Sequence, residues 1–142
     1  MLYINVCYIC LLIWILGVDM FFHEDWFMRQ IEMLIAAIIQ MLLKNGKSQE
    51  SEQELEVRLQ TEQLLDKKDI CAAENYLFEK AEKFRGSPVF LKTALDFYLQ
   101  VNKMSDEELE QHNFSRDEIF EGVKEMCRVN GIDDANFYII DN

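Results

Sequence analysis

The chain has 142 residues, the usual size of one domain, and half of them are hydrophobic, so a sizeable core is affordable. Its formal net charge is −12, with no cluster of Lys and Arg to meet a phosphate backbone, so nucleic acid is not an expected partner. A single Pro and five Gly, among abundant Leu, Glu, Lys, Gln and Met, leave helices uninterrupted and offer strands few turns; the predicted class is all-α.

Residues 1–19 form a hydrophobic leader. Met1 to Val18 carries no charge, and only Asn5 and Gly17 interrupt the apolar run, a length that just suffices to span a bilayer. The uncharged start and the absence of a small-residue cleavage site fit a secretory signal poorly. Two accounts remain: a membrane helix with the acidic bulk on the cytoplasmic side, where Arg29, Lys44 and Lys47 lie, or translation from Met20 with a spurious leader. Cys7 and Cys10 form a C-x-x-C without a second ligand pair, and all four cysteines read as small, reduced core residues.

An amphipathic helix is expected over residues 24–44, inside a segment bounded as 20–46. Phe27, Ile31, Leu34, Ile35, Ile38, Met41 and Leu42 recur at helical spacing and make a wide apolar face. That face is the candidate interaction surface, for a second copy or a protein partner. Its charge-free centre, Met33 to Leu43, is too short to cross a membrane unaided and should be buried in protein. Asn45-Gly46 supplies the stop.

A polar stretch from Lys44 to Glu54 then separates an acidic helical domain, residues 47–142, in which residues 48–142 carry 22 of the 26 acidic side chains. Leu55, Leu59, Leu64 and Leu65 predict a helix ending near Lys67. Asp69 caps another that runs to Arg85-Gly86, and a turn this short makes the two antiparallel. Pro88 opens a further helix carrying Phe90, Leu91, Ala94, Leu95, Tyr98 and Val101. Ser105 with Glu108 and Ser115 with Glu118 match capping boxes. The last helix ends near Val129 before Asn130-Gly131, and residues 132–142 are expected to dock on the core as a tail.

Asp69, Ile70, Ala73 and Leu77 resemble part of one tetratricopeptide repeat, although the first helix lacks the Trp and Gly of that motif. More specifically, HEDWFMRQIEMLIAAI, AAENYLFE, ALDFY and SDEELEQHNFSRDEIFEGVKE together look like a family of small bacterial helical proteins of unknown function, over roughly residues 20–131. The resemblance implies a helical bundle and a start near Met20. It brings no activity, cofactor or catalytic residue.

Chemistry is sparse. Glu108 and His112 are four apart, which is ligand spacing on a helix, but the second pair of a bundle metal site is missing. His23 precedes Glu24 without completing H-E-x-x-H, and no phosphate loop or nucleophile elbow occurs. Asp106, Glu107, Glu108 and Glu110 read as a solvated first turn rather than a calcium loop. The sequence therefore points to a non-catalytic helical protein that associates with itself or a protein partner, without cofactor or metal, and cytoplasmic unless the leader anchors it. The alternatives are a membrane-anchored adaptor and an enzyme built on Glu108 and His112.

Overall fold

The computed structural model describes residues 19–44 and 49–132, with side chains from residue 26 onward. Six α-helices make up the regular structure there: α1 (Asp19–Lys44), α2 (Glu52–Asp66), α3 (Ile70–Ala81), α4 (Pro88–Asn102), α5 (Asp106–Gln111) and α6 (Arg116–Val129). The all-α bundle expected from composition is what forms. Cys7, Cys10, His23, the leader and the tail beyond Ile132 lie outside the residues whose side chains are described.

Each helix from α2 to α6 starts on a side-chain oxygen. Ser51, Asp69, Ser87, Ser105 and Ser115 accept from the backbone N–H groups of Glu54, Ala72, Phe90, Glu108 and Glu118, at 3.2 to 3.3 Å. These bonds satisfy amides that a helix start leaves orphaned. The Ser105 box is complete, because the Glu108 carboxylate accepts the Ser105 N–H at 3.0 Å. The Ser115 box is only half made: Ser115 caps, while no return bond from Glu118 completes it. A complete box that sequence reading passed over joins Ser51 to Glu54. Glu54 also accepts from the Ser87 hydroxyl, so the starts of α2 and α4 share one polar node.

α3 ends at Ala81, four residues before Arg85; residues 82–86 are a turn, with Phe84 stacked on Phe90 at 5.5 Å between ring centroids. At the other end of the chain, Gly131 takes φ +88° and the Ile132 N–H reaches the Cys127 carbonyl at 2.9 Å, closing α6 in a left-handed cap that glycine adopts without strain.

α4 occupies the middle of the bundle. Phe90, Leu91, Thr93, Ala94, Leu95, Phe97, Tyr98, Val101 and Asn102 are all buried beneath α1, α2, α3 and α6, and a narrow stripe of Lys92, Asp96 and Gln100 is left toward solvent. The core is continuous: Ile31, Leu34, Ile35 and Ile38 of α1 share it with Leu77 of α3 and with Ile119, Val123 and Met126 of α6. Side chains this size each contribute about 1.5–3 kcal/mol when fully buried.

One buried polar hub fixes how α1 and α6 meet the end of α4. Arg116, 7% exposed, donates to the carbonyl and side-chain oxygens of Asn102, to the Met104 carbonyl, and to Asp106 at 2.9 Å. Asn102 in turn donates to the Met28 carbonyl of α1 at 3.0 Å. A guanidinium taken out of water is costly unless its donors are met, and a planar fork meets several at once.

At the junction of α3, α4 and α6, the Tyr98 hydroxyl donates to Glu74 at 2.6 Å, and the ring lies so close to Gly122 that a Cβ there would stand 2.5 Å from the phenolic oxygen. The buried ring has no room to retreat. Gly122→Ala should therefore destabilise the protein by about 1–3 kcal/mol, even though alanine is the better helix former by about 1 kcal/mol. Urea unfolding checks this; a variant at least as stable as the parent would contradict it. Adding Tyr98→Phe, which removes the nearest atom, should recover part of the loss.

Candidate functional site

The face expected to receive a partner is largely occupied by the chain itself. Ile31, Leu34, Ile35 and Ile38 are between 0 and 7% exposed, and Phe27 and Leu42 are half-buried against the same core, with Phe27 meeting Phe120 at 5.7 Å between ring centroids. Of the seven residues, Met41 alone is exposed. The reason is that α4 and α6 each present an apolar side toward α1, and the widest apolar stripe of α1 closes over them.

What remains on the other side of α1 is also apolar. Met33 is 58%, Leu43 59% and Trp26 51% exposed, with Ala36 exposed between them. Trp26, Met33 and Gln40 follow one another at seven-residue steps, as do Arg29, Ala36 and Leu43, so the six form a single seam opposite the buried stripe. Sequence reading passed over this seam because the inward stripe is richer in branched residues and takes the periodic signal. The repeat at 26, 33, 40 and 29, 36, 43 was the available clue.

Among the described residues, one segment, Trp26–Lys44, is long and apolar enough to cross a membrane by length and composition, with a mean hydropathy of 1.4. Crossing would strip Ile31, Leu34, Ile35 and Ile38 from the core they complete.

The reactive side chains are engaged in structure. Glu108 closes the cap of α5, and His112 is the C-cap of that helix, before Asn113 at φ +55°. Among the described residues no group of three or more His, Cys, Asp or Glu is placed to hold a metal. Cys71 is exposed rather than in the core; its thiol lies 3.7 Å from the His112 carbonyl, and burial followed by the charges of Glu74, Glu118 and Asp69 pushes it up. Burial pushes the Cys127 thiol up to about 12. Neither has the depressed value of a nucleophile. A cavity of about 260 Å³ between α2 and α4 has Leu65 and Phe97 in its floor and Arg58, Glu62, Asp96 and Lys103 at its rim, with Arg58 tied to Glu50 and Glu62.

The match to known proteins covers most of this architecture. Residues 21–131 fit the model of a Family of unknown function (DUF6483), a span from α1 through the glycine that closes α6. The chain belongs to this family. No curated protein and no solved structure matches it. For this member of the family, then, the outward seam of α1 rests on geometry alone.

Glu74 is a half-buried carboxyl whose surroundings shift its titration. Burial raises its carboxyl above the ordinary 4.5, the Tyr98 hydroxyl pulls it back and the charge of Glu118 raises it further. A carboxyl raised by folding favours the folded state below its unfolded value and loses that contribution as pH climbs through the folded one. Glu74→Gln removes the titration and keeps an acceptor for Tyr98. Its melting temperature relative to the parent should rise between pH 4 and pH 7; a constant or falling difference would contradict the assignment.

Proposed function

We infer that this protein is a helical interaction module that works without catalysis, and that its binding surface is the outward seam of α1 rather than the inward stripe. The observation that carries the reading is an apolar helix with both sides in demand. One side completes the core, and the other leaves Met33 and Leu43 more than half exposed. Large apolar side chains lined up along a helix, rather than scattered singly, are the pattern of a helix-docking surface. The capping role of Glu54 and Glu108 and the raised thiols of Cys71 and Cys127 support a non-catalytic reading. The α2–α3 hairpin, with Ala73 and Leu77 at 0% exposure, supports a partly tetratricopeptide-like scaffold beneath that surface. Anchoring through residues 1–18 is compatible with the module and would place the seam near a bilayer.

The test is a photo-crosslinking amino acid at Met33, compared with one at Glu125 on the exposed side of α6, in cells producing the full chain. Discrete protein adducts at position 33 and none at 125 are expected. Equal labelling at the two positions, or none at 33, would sink the reading.

A further inference from the structure

Resting on that reading, we propose that the occupant of the seam is a second copy of this chain, its α1 laid antiparallel on the first.

Charge selects the face. The chain carries −12, yet Trp26 to Lys44 holds only Arg29, Glu32 and Lys44, so this helix is a long surface that does not repel a like copy. It also solves the repulsion between the bodies. The core sits behind the inward stripe, so pairing through the outward seam places two helices between the acidic bodies. At about 10 Å per helix that is roughly 20 Å, well beyond a Debye length of about 8 Å at physiological salt. A flat anionic lipid surface offers no such spacing, and the acidic body would face it.

Register selects the direction. With the helices antiparallel and Met33 opposite Ala36 of the other copy, Trp26 meets Leu43 and Arg29 meets Gln40, each pair occurring twice by symmetry. Large then faces small at the centre, where Ala36 lets the backbones approach. A parallel pairing at the same seam instead sets Arg29 against Arg29 and Met33 against Met33. The 26-residue α1 is about 39 Å long at 1.5 Å per residue, room for the whole repeat in one contact.

Light scattering on the purified full chain should give about twice the 16.9 kDa chain mass, with exchange to the single-chain mass on dilution. Met33→Glu together with Leu43→Glu should yield the single-chain mass with an unchanged helical circular dichroism signal. Gln40→Glu places a carboxylate opposite Arg29 and should lower the dissociation constant roughly two- to fivefold, while Gln40→Lys raises it. Weakening by both Gln40 changes would refute the antiparallel direction. A parent protein of single-chain mass up to its solubility limit, or a dimer untouched by the double Glu variant, would overturn the second copy as occupant. In the first case, position-33 adducts of another mass would leave the interaction reading standing, and adducts to residues 1–18 of the same chain would replace the partner with a segment in cis.

Discussion

The structure depends on covering α4 everywhere but along the narrow stripe of Lys92, Asp96 and Gln100. Nine of its fifteen residues are buried, including Phe90, Phe97 and Tyr98, and no pair of neighbours suffices to cover them. α2 and α3 close two sides as a hairpin, α6 a third, and α1 a fourth. This demand explains why so apolar a helix as α1 is a structural wall before it is anything else. It also explains why the polar hub of Arg116 and Asn102 sits where it does: at the end of α4, the loop to α5, the start of α6 and the Met28 carbonyl of α1 converge, and hydrogen bonds rather than apolar contact set their angles.

From that constraint the candidate surface follows. A helix needed only as a wall would be apolar on one stripe and charged on the other. α1 is not built that way: across from Ile31, Leu34, Ile35 and Ile38 run Met33, Ala36 and Leu43, with Arg29, Glu32 and Gln40 as the polar relief. α6 shows the ordinary pattern, burying Ile119, Val123 and Met126 and turning Asp117, Glu121 and Glu125 outward, whereas α2 buries Val57, Thr61 and Leu65 and leaves the expected face residues Leu55 and Leu59 exposed. The contrast between α1 and α6 is what makes the outward side of α1 a candidate surface.

Much of this was legible from residue order. Caps at Asp69, Ser105 and Ser115, Pro88 at a first turn and the glycine stop after Val129 follow from local chemistry, and local chemistry decides them. The stop of α3 was not legible, because Phe84 continues the helical spacing while in fact it stacks on Phe90 from a turn. Which side of α1 stays exposed was hidden for a related reason. Periodicity reports which side of a helix is apolar, whereas which apolar side the chain keeps for itself depends on α4 and α6, which begin at Pro88 and Arg116, far along the sequence. Gly122 looked unremarkable until the Tyr98 ring was found against it.

The central claim is that the two sides of α1 have separate jobs, and neighbouring residues test it. Ile35 is fully buried and Ala36 is exposed. Thermal unfolding of dilute Ile35→Asp and Ala36→Asp proteins compares them directly, since dilution removes any contribution from association. The account predicts a loss of about 3 kcal/mol or more, or failure to fold, for Asp at 35, and a loss of no more than about 1 kcal/mol, the cost of the poorer helix former, for Asp at 36. Comparable destabilisation by both, or tolerance of Asp at 35, would contradict it.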